Sequence, residues 1–192
     1  MKKALALILA LCALLSLCAC SSSSGSSQPE TYVPDGEIEV TIPEPETAED
    51  AAELGSKTFS FDGFSITLTD DFEEYESEDV DYAVLSDNVG MAVVKEDFAT
   101  LAQYGIDANA FSSYDYAVSA MESVGTYGEV LQADGYEYFT YDENVTGTDF
   151  TYYSAVFKGS DAFWRVSFYT YSNLFDIMIP SFEHWCSSVM VA

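Results

Sequence analysis

Few side chains in this chain could do chemistry, and their spacing limits what they could do. His184 is the single histidine, and Cys186 stands two positions beyond it. A thiol and an imidazole would make a nucleophile and its base if they met, but residues two apart on a helix point about 200° apart. The pair therefore reads as a buried, inert thiol beside a rim imidazole. One histidine also leaves no multi-histidine metal site. Asp142, Asn144, Thr146, Gly147 and Asp149 set oxygen ligands at alternating positions with glycine sixth, like the first half of an EF-hand loop. The twelfth position is Tyr153, where that loop needs a bidentate Glu. Asp142, Asn144 and Asp149 remain candidate cation ligands, with a plain hairpin loop as the competing reading. The run Asp70, Asp71, Glu73, Glu74, Glu76, Glu78, Asp79 and Asp81 reads as a solvated loop or as a seat for a cation or basic partner. Gly63-Phe64-Ser65-Ile66-Thr67 lacks the second glycine of a nucleophile elbow, and no phosphate loop or dinucleotide fingerprint occurs. The expectation is no catalytic residue, no cofactor and no enzyme.

Tyrosine is the other residue that recurs in a pattern. Tyr136, Tyr138, Tyr141, Tyr152, Tyr153, Tyr169 and Tyr171 fall in three segments of strand-like sequence. Tyr136, Tyr138, Tyr152, Tyr169 and Tyr171 are the candidate binding surface, because aromatics are enriched where proteins meet partners. The same rings could instead pack beneath helices.

Charge narrows the partners. The chain has 33 Asp and Glu against 6 Lys and Arg, and Lys2 and Lys3 account for two of the six. Nucleic acid is excluded, since its binding relies on basic residues neutralising phosphates. Anionic headgroups repel such a surface as well. Basic proteins and divalent cations remain as partners, and the charge also serves solubility.

The first twenty residues place the protein. A Lys2-Lys3 start leads into an uncharged apolar stretch that ends at Leu17-Cys18-Ala19-Cys20, ahead of a serine run. This is signal-peptide anatomy, too short for a spanning helix of about 20 apolar residues. Leu17, Ala19 and Cys20 resemble the bacterial lipoprotein signal, in which a small residue directly precedes the acylated cysteine. The resemblance implies cleavage before Cys20, diacyl modification of its thiol, and a place on the extracytoplasmic face of a bacterial cell membrane. Two acyl chains hold a protein stably where one does not. Cys12 and Cys18 leave with the leader, so Cys186 is the only free thiol of the mature chain and no intrachain disulfide forms.

The organisation follows: residues 1–19 as signal peptide, 20–56 as an acidic tether rich in Ser, Pro and Glu, and 57–192 as one folded domain. The tether has no basic residue and would span on the order of 35 Å as a random coil. Within the domain, Asp62-Gly63 predicts a hairpin between Thr58-Phe59-Ser60-Phe61 and Phe64-Ser65-Ile66-Thr67-Leu68. A second pair covers 82–85 and 91–95, and helices cover 97–104 and 113–124. Strands follow at 136–141, 150–157 and 163–171. Trp164, Val166 and Phe168 face one way in the last strand, and Phe163, Arg165, Tyr169 and Tyr171 the other, which calls for cover on both faces. A terminal helix carries Phe175, Ile179, Phe182, Trp185 or Cys186, and Val189 at helical spacing, capped by Asn173 and kinked or divided by Pro180.

This element order, with Phe64-Ser65-Ile66-Thr67-Leu68 and Ser181-Phe182, resembles the PsbP-like family over about 57–189. That family includes an extrinsic photosystem II protein, a Ran-GTPase-binding protein and many bacterial lipoproteins. The resemblance implies an α+β fold, an antiparallel sheet of about six to seven strands sandwiched between helices. It implies a scaffold used mainly for binding, and brings no functional residue with it. The function expected is a lipid-anchored, extracytoplasmic binding or accessory protein of the bacterial cell envelope, attached through its lipid and serving an envelope protein. The alternatives are a surface protein that binds divalent cations through its acidic loops and, third in order, an uncharacterised enzyme.

The anchor is directly testable. An alkyne palmitate fed to expressing cells should label the wild-type protein, and Cys20→Ala should abolish that label. Label retained by Cys20→Ala would move the acceptor elsewhere.

Overall fold

A computed structural model of the chain describes residues 55–192. The expected signal peptide, Cys20 and nearly all of the expected tether lie outside the described residues. The first hairpin forms as its turn residues dictate. Asp62 and Gly63 both take left-handed backbone, with φ of 43° and 90°, the twist a two-residue turn needs. They join β1 (Ser56–Phe61) to β2 (Phe64–Thr69) with Phe61 opposite Phe64.

The main sheet holds β3 (Glu73–Glu74), β4 (Tyr82–Leu85), β5 (Val89–Asp97), β6 (Leu131–Ala133), β7 (Tyr136–Val145), β8 (Thr148–Lys158) and β9 (Ala162–Tyr171). Its order is β3-β4-β5-β9-β8-β7-β6, antiparallel throughout. Seven strands agree with the expected count, but their membership differs. The first hairpin is not among them. It forms a separate three-stranded sheet with β10 (Met190–Val191), which pairs to the second edge of β2. The C-terminal residue holds this return in place: the Ala192 N–H donates to the Gly63 carbonyl at 3.0 Å, and its own carbonyl accepts from the Ser160 N–H at 2.8 Å. The short strands β3 and β6 fill the places the hairpin leaves.

Three helices complete the fold: α1 (Phe98–Gln103), α2 (Ser113–Ser123) and α3 (Phe175–Cys186). A capping box starts α2, in which the Ser112 hydroxyl accepts from the Asp115 N–H at 3.1 Å and the Asp115 carboxylate accepts from the Ser112 N–H at 2.9 Å. The start of α3 departs from expectation. Leu174 occupies the cap, with no side-chain hydrogen bond, and Asn173 precedes it. Pro180 lies inside one continuous helix. Its ring is on the exposed side, while Phe175 and Phe182 anchor the two halves to the core. The helix stops before Val189, which belongs to the approach to β10.

The sheet is sandwiched as its sequence demanded. Trp164, Val166 and Phe168 of β9 join a core with Phe64, Ile66 and Leu68 of β2, Phe182 and Trp185, all at 6 % exposure or less. On the opposite face, Phe163 stacks on Tyr116 of α2 at 4.4 Å and joins Ala117, Ala120 and Met121. This is an α+β domain with an antiparallel sheet between helical layers.

Phe182 touches four other rings, those of Tyr153, Phe168, Phe175 and Trp185, at 5.2–6.0 Å. Removing a ring so placed leaves a cavity, and Phe182→Ala should cost about 3–5 kcal/mol. Ser112→Ala should cost about 1 kcal/mol through loss of the cap. Urea unfolding that gives these two variants equal losses would contradict the central place of Phe182.

Candidate functional site

The helical cover on the α2 side is partial, and strand register shows what it leaves open. Tyr141, Tyr152 and Tyr169 stand opposite one another across β7, β8 and β9, and Gly90 of β5 continues the row. The next row outward holds Glu143, Phe150 and Tyr171. The row inward holds Phe139, Ser154, Ser167 and Ala92, and there the Ser154 and Ser167 hydroxyls bond at 2.8 Å. α2 and its neighbours bury Phe139, Val156 and Phe163 but stop short of the tyrosine row. Tyr141, Phe150, Tyr152 and Tyr169 are half-buried, and Tyr171 is 42 % exposed.

The rings form one continuous aromatic surface. Tyr141 stacks on Tyr152 at 4.6 Å, Tyr152 meets Tyr169 at 5.4 Å, and Phe150 stacks on Tyr171 at 5.3 Å. Gly90 permits this arrangement. The Tyr169 ring lies over its backbone, where any Cβ would overlap the ring. Tyr75, 56 % exposed, stands near Tyr169 at the far end.

Burial keeps these phenols protonated. It pushes Tyr141 up to about 12, partly opposed by the Arg165 guanidinium. Burial, reinforced by the Glu143 carboxylate, also raises Tyr152, and burial with the neighbouring Tyr75 raises Tyr169. The surface therefore offers neutral hydroxyls and ring faces. Arg165, half-buried on the same sheet face, has no partner for its Nε.

The five tyrosines expected to form one surface divide between two faces. Tyr152, Tyr169 and Tyr171 lie on the open face, whereas Tyr136 and Tyr138 project to the other side under α3. Tyr136 is 5 % exposed, and its hydroxyl meets that of Tyr153 at 3.1 Å. Tyr138 stacks on Tyr153 at 4.6 Å. Even-numbered positions of β7 face α3, so these two are core residues. Odd-numbered Tyr141 and Glu143, with Phe150, take their place in the open surface. Their signal was the mirror spacing about the turn at Thr146-Gly147, which sets Tyr141 opposite Tyr152 and Glu143 opposite Phe150.

The remaining candidates do not assemble a reactive site. Burial drives the Cys186 thiol well above its ordinary value, and His184 is exposed. Asp142, Asn144 and Asp149 spend their polar atoms locally. Asn144 Nδ2 donates to Asp149 Oδ1 at 2.6 Å, Asn144 Oδ1 accepts from the Gly147 N–H at 3.0 Å, and Asp142 Oδ1 accepts from Thr151 Oγ1 at 2.6 Å. They brace a hairpin whose turn, Thr146-Gly147, has φ of 52° and 92°. No group of three His, Cys, Asp or Glu is placed to hold a metal among the described residues. Two clefts of ≈ 390 Å³ have acidic linings, one including Asp142 and Asp149 and the other Glu73 and Asp87. Neither has a histidine, cysteine or basic side chain in its wall.

Alkaline titration checks the burial of tyrosines on both sheet faces. The folded-state values of Tyr141 and Tyr136 lie near 12 against an ordinary 10.0, so the unfolded chain releases these protons first. The stability they contribute is complete below pH 10 and should be lost as pH climbs from 10 toward 12. Tyrosinate absorbance of the folded protein should still be rising as pH passes from 10 toward 12. A single wave at the ordinary value in the folded protein would contradict the burial.

No protein-family model matches the chain, and no curated protein sequence matches it. Among solved structures, it is similar to a protein of Bacteroides thetaiotaomicron VPI-5482, with 12% identity and a TM-score of 0.49 over 71% of this chain and 48% of that one. This chain thus spans about half the length of that protein. It is similar to the PsbP protein (CyanoP) of Synechocystis sp. PCC 6803, with 12% identity and a TM-score of 0.43 over 72% of this chain and 94% of that one. LpqN, involved in cell envelope biogenesis of Mycobacterium tuberculosis, aligns with 8% identity and a TM-score of 0.39 over 73% of this chain and 92% of that one. These likenesses concern the course of the backbone and bring no site residue with them.

Proposed function

We propose that this chain is a lipid-anchored, extracytoplasmic protein of the bacterial cell envelope that acts by binding a protein partner, without catalysis. The observation that carries this reading is the registered row Tyr141, Tyr152 and Tyr169, half-open on a sheet face that the helices leave uncovered. Rings already stacked on one another lose little freedom when a partner covers them, and each neutral hydroxyl keeps a donor at the rim. Attachment falls to the acylated Cys20, whose Leu17-Cys18-Ala19-Cys20 context resembles the bacterial lipoprotein signal. The cation-binding alternative has less support, because Asp142, Asn144 and Asp149 are engaged with their own hairpin.

In-cell crosslinking of the tagged protein, compared with Cys20→Ala and with Tyr152→Ala/Tyr169→Ala, tests the reading. The expected result is stoichiometric recovery of one envelope protein from the wild type. Each variant should reduce that recovery about tenfold, which corresponds to about 1.4 kcal/mol. Equal recovery from the tyrosine variant would remove the row from the interface. Recovery of no specific protein would overturn an obligate partner.

A further inference from the structure

We infer that the outer edge of β7 receives an extended, basic strand from a partner protein. This rests on the proposal that the chain works by binding, and it adds the mode of binding and the partner's chemistry. β6 pairs with β7 only at Tyr136, Glu137 and Tyr138. Beyond Tyr138, β7 runs on to Val145 with β8 on one side and no strand on the other among the described residues.

The two turns that bracket β7 agree on which groups are free. Ala133 and Tyr136 close the turn at Asp134-Gly135, so Tyr136 and Tyr138 point their N–H and C=O groups outward to β6. Val145 and Thr148 close the turn at Thr146-Gly147, so Val145 points inward to β8. Counting from either end, Thr140, Asp142 and Asn144 present their backbone groups to solvent. All three residues are exposed.

An edge of this length is a template for another strand. Its side chains choose which one. Asp142 and Glu143 lie adjacent on the edge, one toward each face, and a second copy paired antiparallel about Asp142 would set that carboxylate opposite its own equivalent. Like charges opposite one another destabilise a ladder and unlike charges stabilise it. The edge therefore disfavours a second copy and favours a strand with Lys or Arg at those registers. A strand seated there would also extend the aromatic row past Tyr141.

The test titrates the full chain in detergent with the peptide acetyl-Tyr-Val-Lys-Lys-Val-Tyr-amide, whose adjacent lysines point to opposite faces of a strand, and with its Glu-for-Lys counterpart. Amide hydrogen exchange at Thr140, Asp142 and Asn144 is the readout. The Lys peptide should slow exchange at these three amides at least tenfold, and the Glu peptide should not. Asp142→Pro removes an outward N–H that the β7–β8 ladder does not use, and should abolish the protection. Because that variant could disturb the hairpin, Asp142→Lys/Glu143→Lys leaves the backbone intact and should transfer the preference to the Glu peptide. Lys-peptide binding without protection at the three amides would overturn the inference, as would protection that charge reversal does not invert. A chain that still crosslinks its partner through Tyr152 and Tyr169 but shows no edge protection would retain the binding proposal and lose this one.

Discussion

A helix and a strand of equal residue count do not cover equal ground. The eleven residues of α2 extend about 16 Å, whereas the eleven of β8 reach about 36 Å. One short helix cannot cover strands of that length, so a sheet apolar on both faces must remain bare somewhere on the α2 side. Most of the rest follows from this mismatch. Where α2 sits, the sheet presents Phe139, Val156 and Phe163, which are buried. Where it ends, the sheet presents Tyr141, Tyr152, Tyr169 and Tyr171.

Tyrosine at those positions resolves a conflict between strand pairing and solvent. A row of phenylalanines would hold the same stack but leave a wholly apolar patch against water. Charged side chains would hydrate the face at the cost of the cross-strand aromatic contacts that pin the register. Tyrosine keeps the contacts and hydrates its rim. Gly90 extends the device by a different route. Without a side chain it weakens β5 locally, and the Tyr169 ring compensates by lying across its backbone.

Much of this was legible in the sequence because it depends on local rules. The Asp62-Gly63 turn, the alternation of Trp164, Val166 and Phe168 against Phe163, Arg165 and Tyr169, and the helical spacing of Tyr114, Ala117, Val118 and Met121 each specify an element without knowledge of its neighbours. What was not legible depends on distant partners. β10 is a two-residue strand because Gly63 and Ser160 hold the chain end, far away in sequence. β3 and β6 are too short to carry a period. The tyrosines show the same division within one strand. Parity separates Tyr136 and Tyr138 from Tyr141, but only the placement of α3 and α2 says which parity is buried. Pro180 does not divide its helix for a related reason, since a local helix breaker is tolerated when Phe175 and Phe182 hold both halves to a common core.

Net charge takes on a structural meaning once the open surfaces are known. A half-covered aromatic face and an unpaired strand edge are the features that lead exposed sheets to self-associate. Here both are bordered by carboxylates, Glu143 at the end of the tyrosine row and Asp142 on the edge itself. The four basic residues among those described are held near the body of the domain. Lys95 bonds Asp62 at 2.8 Å, Lys158 donates to the Ala108 carbonyl at 3.3 Å, Lys57 lies over the Phe59 ring, and Arg165 is half-buried in the sheet face. Two copies therefore meet as like charges at the surfaces that would otherwise join them. A surface kept open by repulsion between copies stays available to a partner of opposite sign, so the acidity works as a filter on association as well as an aid to solubility.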